Sequence, residues 1–122
     1  TEATALYPMV IKTLAAQGFD IYPIAEGENP IYAIHYSERS LPLIGFSKKI
    51  DHPLNPSKDF AAIMTCDAAD QGCPFIAGAE KRIGLTFKDP KISDGSPQQE
   101  RVYRERSIQI ATELKYVFSR IS

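Results

Sequence analysis

Apolar residues recur with a changing period along this chain, and each change marks an element. The stretch YPMVIKTLAAQG carries Val10, Ile11, Leu14 and Ala15 at helical spacing, which predicts a first helix with one apolar stripe. Pro8 suits its first turn, where a missing N–H removes nothing, and Gly18 suits the residue that stops it. Phe19-Asp20-Ile21 follows, and then PIAEGENP, rich in turn residues. Ile31 to Tyr36 and Leu43 to Ser47 are two β-prone runs joined by the polar SERSLP, which predicts a β-hairpin. Pro42 places the second run at an edge or a strand start. After the proline-containing loop DHPLNPSKD, Phe60 to Thr65 is short and apolar without a polar break. That is the pattern of a parallel strand covered on both faces.

Cys66 to Pro74 reads as a loop or short helix, Arg82 to Phe87 as a second strand, and Lys88 to Gly95 as a loop. The last element is a long helix from about Pro97 to Ile121. Ser96 is its expected N-cap, Pro97 its first residue and Gln99 the partner that completes a capping box. Tyr103, Ile110, Leu114, Val117 and Ile121 make its apolar stripe, widened by Ala111 and Phe118. The order helix, hairpin, strand, short helix, strand, long helix is that of an α/β fold in which strands feed helices.

Composition narrows the class. A chain of 122 residues reads as a single domain, 1–122, able to bury roughly two thirds of its unfolded surface. A net charge of −1 supplies no field for nucleic acid or a membrane surface. No apolar run approaches the ~20 residues of a spanning helix, and no signal peptide is visible. Two cysteines are too few for a disulfide framework. The expectation is a cytosolic protein that binds neither nucleic acid nor membrane.

The candidate chemistry is concentrated in FAAIMTCDAADQGCPFIAGAEKRIGLTFKDP, residues 60–90. Cys66 and Cys73 are separated by six residues. They read as two buried apolar groups or as a redox pair, since DAADQG is small and polar enough to bring the sulfurs together. Zinc is disfavoured, because structural sites use C-x₂₋₄-C with two further ligands, and His35 and His52 have no paired spacing. Asp89, before Pro90, reads either as ordinary turn chemistry or as a carboxyl group offered at a sheet edge as a general acid. Position supports the second reading: if Thr65 and Phe87 end adjacent parallel strands, Cys66 and Asp89 emerge on one rim. His35 and His52 read as structural or solvent-facing, Lys81 and Arg82 as a solvated face. Arg101, Arg104 and Arg106 are offset by Glu100 and Glu105. No glycine-rich phosphate cradle is present.

At these residues the chain resembles the low-molecular-weight protein tyrosine phosphatase superfamily, and within it the thioredoxin-coupled arsenate reductases. YPMVIKTLAAQGFDI resembles a family helix, FSKKID the segment before the third strand, DFAAIMTCDAADQGCPFIAGAEKRI the strand and redox loop, and FKDP the general-acid loop. The resemblance covers nearly the whole chain except residues 30–47, which then read as an inserted β-hairpin. It implies a three-layer open parallel sheet. It also implies a mechanism without cofactor or metal. A phosphate-loop cysteine attacks arsenate, and backbone N–H groups and an arginine hold the oxyanion. Asp89 protonates the leaving oxygen, Cys66 attacks the arsenic-bearing thiol and releases arsenite, and Cys73 resolves that disulfide for a thioredoxin-like reductant.

One departure matters. The family nucleophile lies in C-x₅-R after the first strand, and no C-x₅-R occurs in these 122 residues. The expectation is an incomplete domain that lacks its first strand and is inactive alone. Its Phe60–Thr65 edge would then meet either a missing N-terminal segment or a second copy. A tyrosine phosphatase of the same superfamily is the nearest alternative, but it has no task for Cys66 and Cys73, and Lys91 follows Pro90 where a stacking tyrosine is usual. A non-catalytic interaction domain of the same fold is the third. Its support is the hairpin, which carries Ile31, Tyr32, Ile34, Tyr36, Leu41, Leu43, Ile44 and Phe46; packing of one hairpin face on the domain is the preferred reading of those residues.

Overall fold

A computed structural model of the chain describes residues 3–65 and 75–121, and its elements fall into two units, Thr1–His52 and Pro53–Ser122. The first unit opens with helix α1 (Pro8–Ala16), whose first residue is the proline. Its C-terminus closes as a Schellman motif. Phe19 N–H donates to the Leu14 carbonyl and Gly18 N–H to the Ala15 carbonyl, both at 3.1 Å, with Gly18 at φ 97°. Only glycine takes that conformation without strain. The buried seam is set one residue off the expected stripe. Met9 and Thr13 are buried, whereas Val10, Ile11 and Leu14 are half-buried and Ala15 is exposed. Thr13 is tolerated inside because its hydroxyl donates to the Met9 carbonyl at 2.7 Å, so no polar group is left unpaired.

Three antiparallel strands follow: β1 (Asp20–Ala25), β2 (Ile31–His35) and β3 (Leu43–Gly45), with β2 in the middle. The β2–β3 pair is the expected hairpin, with Ala33 opposite Ile44. Strand β1 corrects the sequence reading, which gave Pro23 to Ala25 to a turn. The physical reason is its edge position. Proline removes only one ladder donor, which an edge strand tolerates, and the register shifts between Pro23 and Ala25 to absorb the irregularity. The turn is therefore confined to Glu26–Pro30. Asn29 pins it, donating from Nδ2 to the Ser47 carbonyl at 2.7 Å. Ala33, at the centre of the middle strand, is 2% exposed. α1 packs against β1.

The second unit holds β4 (Phe60–Met64) and β5 (Ala79–Gly84), paired parallel with Ile63 opposite Ile83. β5 starts three residues before the expected Arg82. Glu80, Lys81 and Arg82 hide it from an apolar pattern, but backbone pairing to β4 does not depend on side chains. The pairing outlasts the strands: Leu85 N–H reaches the Met64 carbonyl at 3.0 Å and Phe87 N–H the Thr65 carbonyl at 3.1 Å. The chain approaches both strands through a close backbone contact. Gly78, at φ 82°, lies so near Ser57 that an added Cβ would stand 2.0 Å from the Ser57 carbonyl oxygen.

A 3-10 turn (Pro90–Ser93) leads to helix α2 (Gln99–Ser119), which packs against that turn. The N-terminus of α2 departs from the expected capping box. Ser96 Oγ accepts from Gln98 N–H at 3.3 Å, but Gln99 Oε1 accepts from Gly95 N–H at 3.1 Å and not from Ser96. Ser96 N–H is already donated to the Ser93 carbonyl, so the glutamine satisfies the preceding donor and the helix proper begins at Gln99. In this unit Ile76, Phe87, Ser93 and Tyr103 are buried.

The expectation of a parallel strand covered on both faces is not met within this unit. Among its described elements neither β4 nor β5 packs against anything but the other, and Ile63 and Ile83 are 38% and 42% exposed. At the level of class, the chain is a mixed α/β protein with one antiparallel and one small parallel sheet. No helix among the described residues is long and apolar enough to cross a membrane.

Candidate functional site

The rim of the parallel sheet is where sequence chemistry and structure meet. Among the described residues the ladder runs on to Thr65 and Phe87, so the carboxyl ends of the two strands lie side by side, as that part of the sequence reading required. Asp89 is two residues beyond Phe87. The residue after Thr65 in sequence is Cys66; Cys66 and Cys73 both lie outside the described residues.

Asp89 is exposed, with extended backbone (φ −65°, ψ 121°). Its Oδ1 accepts the Lys91 N–H at 2.9 Å. That is the turn role: a carboxylate satisfies an orphan donor at the start of the 3-10 turn, and Pro90 supplies a φ suited to its first position. Oδ2 makes no hydrogen bond among the described residues. Ser93 Oγ donates to the Pro90 carbonyl at 2.7 Å and fixes the far side of the turn. Around Asp89 is an open depression of about 700 Å³ lined by Lys88, Asp89, Lys91 and Ile92. Two ammonium groups flanking one carboxylate make the local charge positive. A free anion is attracted there, and the exposed acid is within reach of solvent.

Sequence reasoning missed Asp94 and Tyr103 as a pair. The Tyr103 hydroxyl donates to Asp94 Oδ1 at 2.6 Å, which ties the 3-10 turn to the first turns of α2. The apolar period of α2 gave Tyr103 as a core residue, and it is buried. Nothing in the spacing told that its hydroxyl has a partner, although a buried tyrosine requires one.

The first unit contains a second polar cluster. His35 Nδ1 stands 3.1 Å from the Ser40 carbonyl oxygen. A carbonyl only accepts, so Nδ1 carries the proton; in the neutral ring Nε2 then accepts from the Tyr22 hydroxyl at 3.2 Å. The rings stack with centroids 5.8 Å apart. An adjoining depression of about 400 Å³ is lined by Gly18, Asp20, His35, Tyr36, Ser37 and Glu38. The placement of His35 in a strand and His52 in a loop agrees with the sequence reading, and His35 acts as a brace between β1 and the β2–β3 turn. His52 packs edge-on to Phe46, with centroids 5.2 Å apart. Among the described residues no group of three or more His, Cys, Asp or Glu side chains is placed to hold a metal ion.

The site and fold thus define a mixed α/β protein with an acid at the rim of a parallel strand pair. Beyond that class, the chain matches no family profile, no curated protein and no solved structure.

Proposed function

We propose that the chain is the acid-and-relay portion of an arsenate reductase-like thiol redox enzyme, with the three-layer parallel fold of the low-molecular-weight phosphatases. The observation that carries this reading is the parallel ladder that runs on to Thr65 and Phe87. In sequence, a thiol follows the first of these residues and a carboxylic acid stands two beyond the second. Parallel strands present their carboxyl ends to one side, where α/β proteins put their chemistry. The positive surround of Lys88 and Lys91 suits an oxyanion.

The roles follow from balanced chemistry. A thiolate supplied by a C-x₅-R segment, which these residues do not contain, forms a sulfur–arsenic bond as one oxygen leaves protonated by Asp89. Cys66 thiolate then attacks that sulfur. The sulfur–arsenic electron pair stays on arsenic, reducing arsenate to arsenite as a disulfide forms. Cys73 exchanges into that disulfide, and a dithiol reductant of the thioredoxin kind restores all three thiols. The two cysteines of this chain should accordingly form an intramolecular disulfide under mild oxidation, and thioredoxin should reduce it. In the whole gene product, Cys73→Ser should abolish thioredoxin-dependent arsenate turnover and spare hydrolysis of an aryl phosphate. Arsenate turnover that survived Cys73→Ser would remove the relay assignment.

A second reading, an interaction domain, has its own observation. Leu41, Tyr36 and Leu43 on the β2–β3 hairpin are 88%, 68% and 61% exposed, more apolar surface than one face packed on the domain would leave. A C-x₅-R in the encoding gene favours the enzyme, and its absence there favours this reading.

A further inference from the structure

We infer that the outer edge of β4 is a self-association surface, at which β4 of a second copy of this chain pairs antiparallel across a two-fold axis and extends the sheet to the order β5-β4-β4-β5. The inference does not depend on the redox reading.

Its ground is a mismatch between the sheet and its surroundings. Parallel strands are stable where both faces and edges are covered, and a two-stranded sheet alone is marginal in water. Within its unit, β4–β5 has two strands and no other described element against it. Ile63 and Ile83 sit directly opposite one another in register, and both are substantially exposed. Pairing at this edge satisfies the outward backbone groups of β4 and sets a cross-strand neighbour beside Ile63.

The charge pattern tells which edge joins. β5 runs Ala-Glu-Lys-Arg-Ile-Gly, with three consecutive charges at Glu80, Lys81 and Arg82. Charged side chains, lysine above all, are how natural sheets protect an edge from a second chain. β4 runs Phe-Ala-Ala-Ile-Met, with no charge, proline or glycine. One edge is guarded and the other is open. Like meeting like at an uncharged edge brings no repulsion, and a net charge of −1 adds little at long range.

Two-fold symmetry fixes the direction, because identical strands related by such an axis run antiparallel. A register centred on Ala62 puts Ala61 opposite Ile63 of the partner subunit, and Phe60 opposite Met64 of the partner subunit. Opposed residues share a sheet face, so Ala61 and Ile63 of both copies meet on one face, each Ile63 beside its own Ile83 and each Ala61 beside its own Lys81. Two alanine methyl groups meet on the axis, where bulk would resist close approach.

Sedimentation velocity of the full 122-residue chain over a concentration series is the first test, and a concentration-dependent dimer is expected. Ile63→Lys, which gives β4 the guard that β5 already has, should weaken the dimer at least about tenfold with unchanged far-ultraviolet dichroism; Lys81→Ile should leave it intact. Should Ile63→Lys fail to fold, Ala62→Cys in a Cys66→Ser/Cys73→Ser background keeps the question open to measurement, because a residue on the axis forms a disulfide-linked dimer on oxidation. A chain that stays monomeric throughout the series overturns the inference and leaves the edge to a segment of other origin. A dimer indifferent to Ile63→Lys and silent in the cross-linking test overturns it equally.

Discussion

Asp89 is asked to do two things that a substitution can separate. Its carboxylate accepts the Lys91 N–H, a structural task that asparagine performs equally through its carbonyl oxygen. Asp89→Ala should destabilise the second unit by about 0.5–1 kcal/mol, the low end for a lost cap, and Asp89→Asn should unfold with a near wild-type midpoint in urea. In the whole gene product both variants should lose turnover of arsenate or aryl phosphate, because neither donates a proton. Activity retained in Asp89→Asn would reduce the residue to turn chemistry. Gly78 is a sharper case. An added methyl group would stand 2.0 Å from the Ser57 carbonyl oxygen at φ 82°, so a shift of backbone is unavoidable. Gly78→Ala should cost about 3 kcal/mol, read as a fall in thermal midpoint together with loosened strand pairing. Tyr103→Phe keeps the ring and removes the 2.6 Å bond to Asp94. A loss of about 1.5 kcal/mol is expected for a hydrogen bond to a charged acceptor.

At the scale of elements, helices were read best. Pro8 and Gly18 are start and stop signals that act through local backbone geometry, and α1 begins and ends where they put it. Gly18→Ala should cost about 1 kcal/mol through its positive φ, measurable by denaturant unfolding. The strands were harder. β1 was masked by Pro23 and β5 by its charged residues, because period and composition report how side chains are buried, whereas strands are made by backbone pairing. β1 exists because β2 offers it a ladder, and the shift between Pro23 and Ala25 shows the local irregularity being absorbed. β5 exists because β4 does. The apolar stripe of α2 was visible in sequence, but its one buried residue is Tyr103, beside the turn that it braces.

At the scale of the molecule, the two units differ in how well their sheets are protected. The middle strand of the first sheet is paired on both sides and carries the most buried apolar residue of those described, Ala33. Hydrogen exchange of the dilute protein should accordingly find the slowest amides of the first unit in β2. The outward amides of β4 should exchange fast in dilute solution and slow down as concentration rises. Protection of β4 independent of concentration would contradict the pairing of two copies.

The sequence by itself determined the mixed α/β class, the hairpin, both long-period helices and the signals that bound the first of them. These are local properties, set by rotamers, caps and the alternation of apolar residues over a few positions. It also offered one rim for the ends of two strands, on the condition that they pair side by side and parallel, and the structure supplied that pairing. Only the tertiary structure decided where β1 and β5 begin, which donor Gln99 satisfies, that Tyr103 binds Asp94, and that Ile63 and Ile83 stand side by side and partly exposed. Each of these depends on a partner distant in the chain, and no local pattern encodes what a distant partner covers or leaves bare.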